Sequence, residues 1–219
     1  MFQPDGASTL EEKVYNILED QILSQKLRAG DSVTELKLSK ELGVSRTPVR
    51  EALQRLDREG LIKLRPNKGA VVVGISEQDL IDIYKIRTRL EGLAARIASE
   101  NSDEDLIRRL SDNIELTEFY MAKDNIEKLK DLDSDFHDII YGYCQNRILS
   151  KTLADLHRYI VCYRKLSLSV KGRLERSLSE HREIFEAIKK GDSEAADRLM
   201  SEHVECALSN LLAILQNKD

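Results

Sequence analysis

Histidine and aspartate side chains in the second half of this sequence are spaced so that they could hold one metal ion. Asp133 and His137 are four residues apart, which places both on one face of a helix. His181 and His203 stand 11 residues before and 11 after Asp192, where the pair Gly191-Asp192 separates two helical segments. Residues equidistant from the turn of an antiparallel helical hairpin come level with each other, so we expect both imidazoles to face one point.

This ligand set of one carboxylate and three imidazoles suits a divalent ion (Zn, Ni, Mn or Fe) and leaves positions open on an octahedral ion. Asp133 stands in an acidic stretch that could simply be solvated, and Asp135 or Asp138 could replace it, although their offsets from His137 point elsewhere on the helix. The fourth histidine, His157, has no partner at such a spacing, and we expect an ordinary side chain there. The predicted metal ligands are Asp133, His137, His181 and His203.

A second group of side chains could read DNA. The stretch 37–68 carries nine basic and four acidic residues, a local charge of +5, in a chain whose net charge is −5. Within it Arg46, Arg50 and Gln54 recur every four residues, as on one face of a helix. Arginine can bond to guanine and glutamine to adenine through two hydrogen bonds in the major groove. Taken alone, such a stripe is more often a solvated helix face, so the surrounding elements must decide.

The elements around this stripe follow the order of a winged helix-turn-helix. A capping box of Thr9 and Glu12 begins the first helix, and Thr34 and Ser45 cap the second and third. Gly43 suits the left-handed end of the second helix. The predicted elements are a helix to about Leu27, a helix from Thr34 to Gly43, a helix over about 46–59, and a hairpin of strands over 61–65 and 70–73.

In this arrangement the third helix enters the major groove. Ser45, Thr47 and the helix N-terminus are then placed to hold a phosphate. The hairpin carries Lys68 and Gly69 at its tip, after Pro66 and Asn67. Because the basic cluster, the helix order, the glycine turn and this hairpin coincide in one stretch, the sequence favours DNA binding over a solvated face.

After residue 75 the apolar residues recur every three or four positions, the spacing of an α-helix, as far as the end of the sequence. The predicted helices cover roughly 77–99, 103–121, 124–143, 147–168, 172–190 and 193–216, with short connections between them. Six such helices indicate an antiparallel α-bundle. The fold class is therefore mainly α, with a winged helix-turn-helix domain over 1–75 and an all-α domain over 76–219, whose large apolar faces favour it as the dimer interface.

Composition places the chain among cytoplasmic globular proteins. The sequence has three cysteines (Cys144, Cys162 and Cys206), without CxxC spacing, which predicts buried thiols in a reducing compartment. The N-terminus has no basic segment leading into an apolar run, and no window approaches ~18 consecutive apolar residues. Secretion and membrane insertion are both disfavoured.

The segment from Leu42 to Leu53, LGVSRTPVREAL, resembles the recognition segment of GntR-family bacterial transcriptional regulators, and the resemblance continues through the wing 68–72. It implies that Arg46, Thr47 and Arg50 contact bases or adjacent phosphates and that the wing tip reaches the minor groove. Leu36 stands where some members of the family have an arginine, so no contact is carried over to that position.

The second half is similar to the effector-binding helical domain of the FadR-type branch, called FCD. The resemblance rests on the segment 133–137, Asn146, Glu180-His181, Gly191-Asp192 with Ala195 and Met200, and His203. It implies that the four predicted ligands bind a divalent metal and that a small organic acid completes the coordination. Arg87 matches an arginine of the family and is a candidate for holding the carboxylate of the acid; a salt bridge to Glu91, one turn on, is the alternative.

These features together predict a ligand-responsive repressor that binds a palindromic double-stranded operator as a homodimer and is not an enzyme. The resemblance favours release from DNA over tightening when the small carboxylate effector binds. Two alternatives stay open. The metal itself could be the signal, or three histidines and an aspartate could activate water in a hydrolase. For the hydrolase, Glu180 and Glu183 beside His181 are the nearest candidates for a base.

Overall fold

A computed structural model of the chain describes residues 9–66, 68–168, 170 and 172–216. The chain divides into two compact units, the first reaching to Glu77 and the second beginning at Gln78. Each unit is described by itself below.

The first unit contains three helices and a small sheet. Its elements are α1 (Leu10–Leu23), β1 (Ser32–Val33), α2 (Glu35–Leu42), α3 (Arg46–Arg58), β2 (Ile62–Arg65) and β3 (Gly69–Val72). The strands are antiparallel in the order β1-β3-β2, with Val33 opposite Ala70 and Ile62 opposite Val72. Three helices followed by a hairpin confirm the predicted winged helix-turn-helix.

Local chemistry fixes the ends of these helices. Thr9 and Glu12 form the predicted capping box, and the Thr34 side chain accepts a hydrogen bond from the amide of Lys37. Gly43 ends α2 with φ 65° and ψ 31°, the left-handed conformation that glycine adopts at little cost. Ser45 is the N-cap residue of α3, as predicted, but its side chain makes no capping hydrogen bond.

Two further details differ from the expectation. The first helix ends at Leu23 and not near Leu27, because the chain turns at Gln25, whose φ is 59°. The sheet also has a third strand, β1, whose two residues are too few to show a period in the sequence. Asn67, in the predicted turn of the hairpin, lies outside the described residues.

The second unit is a bundle of helices. These are α4 (Glu77–Glu100), α5 (Glu104–Met121), α6 (Ile126–Tyr143), α7 (Arg147–Ser167), α8 (Arg173–Lys189) and α9 (Ser193–Gln216). The predicted bounds differ from these by at most two residues. Helix α5 packs on α6 and α8, and α9 packs on α7 and α8. The core between them includes Tyr84, Leu110, Phe136 and Ile140, all fully buried.

The thiols follow the prediction only in part. Cys144 is buried, whereas Cys206 is partly exposed, because its side chain lies toward the outer part of α9. The side chain of Cys162 lies outside the described part of the chain. No helix in the described ranges is both long enough and apolar enough to cross a bilayer.

Candidate nucleic-acid interface and candidate metal centre

Helix α3 separates its apolar and polar faces as a recognition helix must. Val49, Ala52, Leu53 and Leu56 are buried against the rest of the first unit. Arg46, Arg50 and Gln54 are exposed on the opposite face, and Ser45 and Thr47 are exposed at the N-terminal end. The predicted donors are therefore available at the surface of one helix.

Glu35, at the start of α2, contacts both arginines of this stripe. Its carboxylate accepts hydrogen bonds from Nη2 of Arg46 at 3.0 Å and from Nε and Nη2 of Arg50, both at 2.9 Å. The Arg50 hydrogen bond is the largest influence on the pKa of Glu35 and, with Arg46, holds it below its ordinary value despite partial burial. The same contact raises the pKa of Arg50. The sequence analysis missed Glu35, since a lone acid near a helix start reads as an ordinary first-turn residue.

The hairpin completes a basic cleft beside α3. The cleft is lined by Glu35, Arg46, Arg50, Arg65 and Lys68, among others. Lys68 is exposed at the tip of the hairpin. Gly69 has φ +82°, and a Cβ there would clash with the backbone carbonyl of Val33, so the close approach of β1 and β3 requires glycine.

The three histidines predicted to bind a metal meet in the interior of the helical unit. Their ligand nitrogens lie within 4.8 Å of one another, although His137 is on α6, His181 on α8 and His203 on α9. The side chains are 0%, 3% and 4% exposed, respectively. Nε2 of His137 is 3.2 Å from Nε2 of His203. Across the described ranges, no other set of three His, Cys, Asp or Glu side chains gathers in this way.

Two glutamates orient two of these imidazoles: Glu91, which is buried, and Glu180, which is partly exposed. Nδ1 of His137 lies 2.5 Å from Oε2 of Glu91, and Nδ1 of His203 lies 2.6 Å from Oε2 of Glu180. A carboxylate only accepts hydrogen bonds, so Nδ1 carries the proton in each ring and Nε2 is left as the metal-binding atom. The stack of Phe136 on His181, with 3.9 Å between ring centroids, fixes the third ring.

The electrostatic setting keeps Glu180 ionised. Burial raises the pKa of Glu180, but the hydrogen bond from His203, together with the Arg173 guanidinium, outweighs burial and leaves that pKa below its ordinary value. The sequence placed Glu180 beside His181 as a candidate base. In the structure its carboxylate contacts Nδ1 of His203 and accepts a hydrogen bond from Arg173. Glu91 was missed as a partner of His137 because 46 residues separate them.

Asp133 lies beside the histidine cluster. Its Oδ1 is 3.7 Å from Nε2 of His181 and accepts a hydrogen bond from the Ser177 hydroxyl at 2.7 Å. Both 3.2 Å and 3.7 Å are separations that two ligands of one ion can have, because donors about 2.0–2.2 Å from a metal lie roughly 3–4 Å apart. The three imidazoles thus suit a divalent ion, and Asp133 lies beside them, outside the group whose ligand atoms are all within 4.8 Å of one another.

The other candidates lie apart from this cluster. Asp135 and Asp138 are exposed on α6, where they line a separate surface depression with Arg109. Burial, followed by the charge of Asp131, raises the pKa of Asp135. His157 is half-buried on α7 and is not among the three clustered histidines.

Arg87 is 3% exposed and forms the ion pair with Glu91 that the sequence offered as its alternative role, with 2.5 Å between Nη2 and Oε1. Burial disfavours the charge, but Glu91 outweighs it and raises the pKa of Arg87. Nη1 is buried and has no hydrogen-bond partner among the described residues. The ion pair with Glu91 therefore leaves the Nη1 donor of Arg87 unused. Arg87 can pair with Glu91 and still offer a hydrogen bond to an acid.

Comparison with known proteins gives a consistent result for both units. Residues 10–72 match the family model for bacterial regulatory proteins of the gntR family, and residues 82–205 match the model for the FCD domain. The HTH-type transcriptional regulator YdhC of Bacillus subtilis is 31% identical over 98% of this chain and 96% of its own length. The HTH-type transcriptional repressor RspR of Escherichia coli is 28% identical over 93% of this chain and 89% of its own.

Solved structures show the same fold. The structure of E. coli McbR/YncC superposes with a TM-score of 0.72 at 23% identity. The match covers 97% of this chain and 100% of the McbR/YncC chain. A GntR-type regulator from Rhodococcus sp. RHA1 gives a TM-score of 0.69 at 23% identity, over 94% of this chain and 99% of its own.

Proposed function

The chain belongs to the GntR family of bacterial regulatory proteins, in the group with an FCD domain, and from this premise we propose that it is a repressor controlled by a small organic acid bound beside a divalent metal. The names of the family and of its relatives indicate a DNA-binding transcriptional regulator and not an enzyme. The observation that carries the sensing part is the buried cluster of His137, His181 and His203, with Nδ1 of two rings engaged by glutamates.

In this proposal residues 1–75 bind DNA. Arg46, Arg50 and Gln54 read base edges in the major groove, and Ser45 and Thr47 hold a phosphate at the start of α3. Lys68 and Gly69 bring the wing to the minor groove. The exposure of this stripe and the basic cleft beside it support the assignment.

Residues 76–219 bind the metal and the effector. His137, His181, His203 and Asp133 would hold the ion, which is Zn, Ni, Mn or Fe by the chemistry of these donors. A bound ion supplies open coordination positions that a carboxylate can fill. Glu91 and Glu180 hold the rings of His137 and His203, and Arg87 offers its remaining donor to the acid.

A homodimer on a palindromic operator follows from the size of the recognition surface, because one recognition helix reads only a few base pairs. The helical unit also exposes large apolar side chains on α4 and α5: Ile86, Leu93, Leu116 and Phe119. Such side chains are suited to contact with a second copy.

The DNA part is tested by titrating wild type, Arg50→Ala and Arg58→Ala against a selected operator at several salt concentrations. If Arg50 makes two hydrogen bonds to a base, Arg50→Ala should weaken the free energy of binding to the operator by ~1–3 kcal/mol. Arg58, exposed at the other end of α3, is the matched control and should change affinity much less. Equal affinity of the wild type for operator and random DNA would contradict the proposal.

The metal part is tested by chelation. Because an ion bound only by the folded state stabilises it, a chelator should lower the melting temperature of the wild type. His137→Ala should abolish this response, and His157→Ala should retain it. Absence of a stoichiometric divalent ion under every reconstitution condition would overturn the assignment.

A second candidate function is metal sensing without an organic effector. It is favoured by the convergence of the three buried histidines, because three imidazoles can hold an ion without an organic ligand. Operator affinity that changes with the metal alone, and with no organic acid, would identify it. The hydrolase alternative is disfavoured because Glu180, the nearest candidate base, is engaged by both His203 and Arg173.

A further inference from the structure

A surface depression between α5 and α6 lies apart from the histidine cluster. Its volume is about 370 Å³, within the range of pockets that hold small molecules. Helix α5 contributes Asp112, Asn113 and Leu116 to its wall, and α6 contributes Leu132, Asp135 and Ile139. The depression thus combines apolar side chains with a small group of oxygen atoms.

The two ends of this depression differ in charge. The two helices pack on each other and are joined by a short connection, so residues equally far from the connection lie side by side. Arg109 and Asp138, which also line the depression, are level at one end, where their charges offset each other. Asp112 and Asp135 are level at the other end, where the wall is net negative.

The cations near the negative end are weak partners for its two carboxylates. Arg108 lies 3.3 Å from Oδ2 of Asp112, but both side chains are more than half exposed, so water screens the pair. Burial, followed by the charge of Asp131, raises the pKa of Asp135, and the charge of Lys128 does not offset these influences. A cation bound beside the Asp135 carboxylate would therefore stabilise its charged form.

Asn113 adds an unused acceptor at the same end. Its side chain is 5% exposed, and its Nδ2 donates to the Leu132 carbonyl at 3.0 Å. Its Oδ1 is buried and accepts no hydrogen bond within the described ranges. A buried acceptor without a donor costs free energy, and native proteins leave few of them. Because Asn113 is part of the wall, this oxygen indicates an occupant that donates hydrogen bonds.

The acceptors indicate the chemical class of this occupant. One amide oxygen and two carboxylates match the three N–H donors of a primary ammonium group. A divalent ion fits less well because, across the described residues, only the histidine cluster brings three His, Cys, Asp or Glu ligand atoms within 4.8 Å of one another. The side chains of Leu116, Leu132 and Ile139 offer an apolar surface to a short alkyl chain.

We propose that this depression binds a small primary alkylamine in its protonated form. The ammonium group donates to Asp112, Asp135 and Oδ1 of Asn113, and the alkyl chain lies against the apolar side chains. Residues 76–219 carry 22 basic and 28 acidic residues, a charge of −6, which raises the local concentration of such cations. None of the three clustered histidines lines the depression, so binding there is independent of the function proposed above.

The test is an NMR titration of the full chain, labelled at leucine and isoleucine methyl groups, with n-butylamine at neutral pH, where the amine is protonated. The methyl shifts of Leu132 and Ile139 should change together and give one Kd. Two probes of matched chain length should bind about tenfold or more weakly: N,N,N-trimethylbutylammonium, which has the charge but no N–H, and 1-butanol, which has no charge. Shifts confined to other methyl groups, or equal binding of the three probes, would overturn the inference.

Asp135→Asn keeps the size of the side chain but removes its charge, so it should weaken butylamine binding by about tenfold. Asp82→Asn is the matched control, since it removes an exposed carboxylate of α4 that pairs with Lys85, and it should leave the Kd unchanged. Circular dichroism and thermal melting establish that each variant is folded. Asp112→Asn should also weaken binding, and it decides the question if Asp135→Asn fails to fold. Wild-type affinity in a folded Asp112 or Asp135 variant, or no saturable binding of butylamine to the wild type, would overturn the proposed site.

Discussion

Glu35 contacts both arginines of α3 that we propose to read DNA. It accepts three hydrogen bonds from Arg46 and Arg50 and so neutralises part of the predicted reading surface. The hydrogen bonds to Glu35 fix the orientation of each guanidinium, which favours one base over others. They also offset its charge, so that the arginine is less available to phosphates. We therefore expect Glu35 to affect specific and non-specific DNA binding in different ways.

We expect Glu35→Gln to strengthen binding to random DNA and to reduce the preference for the operator. The change keeps the size of the side chain but frees one or two arginine charges for phosphates, so the slope of log affinity against log salt should steepen by about 1–2. Fluorescence anisotropy at four salt concentrations measures it. Glu41→Gln on the same helix removes an exposed carboxylate that pairs with Lys37 and serves as the control. An unchanged slope in Glu35→Gln would count against this role.

Glu91 holds His137 through Nδ1, which makes it a positioning residue for the proposed metal ion. We expect Glu91→Gln to weaken metal binding by about 10–100-fold, because an amide orients the imidazole less strongly and makes it less basic. Competition with a chromophoric chelator measures the affinity. Glu100→Gln, at the exposed end of α4, is the control and should retain wild-type affinity. If Glu91→Gln is folded and binds the ion as the wild type does, Glu91 has no such role.

At the scale of elements, the close contact of α4 with α9 depends on Gly92. A Cβ at this position would clash with Oδ1 of Asp197 and Oγ of Ser201 and would lie 3.0 Å from the Asp197 carbonyl. Asp197 is also held by Arg96 at 3.0 Å, and Ser201 donates to the Thr88 carbonyl at 3.0 Å. Neither side chain can move away without losing a bond.

Gly92→Ala should therefore lower the free energy of unfolding by roughly 1–3 kcal/mol, as overpacking does. Gly142→Ala, on α6 with nothing within 4 Å of the added Cβ, is a matched control. There alanine should stabilise by about 0.5–1 kcal/mol through its higher helix propensity. Chemical denaturation of the two variants beside wild type gives both values, and a destabilised Gly142→Ala with an unaffected Gly92→Ala would refute the packing argument.

At the scale of the whole molecule, the two predicted domains differ in charge. Residues 1–75 hold 12 basic and 11 acidic residues, a charge of +1, and residues 76–219 hold the other 22 and 28, a charge of −6. This division suits a first unit that approaches a polyanion and a second that does not. An acid bound in the second unit can change operator affinity only if it binds the DNA-competent and incompetent arrangements unequally.

We expect a homodimer of twice the 25.0 kDa chain mass. Light scattering should give this mass at micromolar concentration, and titration should give two chains per operator, with half-sites about 34–36 Å apart or a multiple of it. A bound organic acid should then shift operator affinity by ~5–150-fold. A 25.0 kDa species that binds its operator one to one would exclude the dimer.

The sequence by itself determined the features that depend on near neighbours. The capping box at Thr9, the left-handed Gly43 and the bounds of α4–α9 follow from local hydrogen bonds and from the apolar period. The proximity of His181 and His203 was also predictable. In an antiparallel helical hairpin, residues that are equally far from the turn lie side by side.

Only the tertiary structure revealed the residues that act on those side chains. Glu35 contacts Arg50 across 15 residues, Glu91 contacts His137 across 46, and Glu180 contacts His203 across 23. The burial of Arg173 was hidden for the same reason. A charged residue on a helix looks the same in sequence whether its stripe faces water or a neighbouring helix. Its environment is set by the packing of distant segments, and neither spacing nor propensity records that packing.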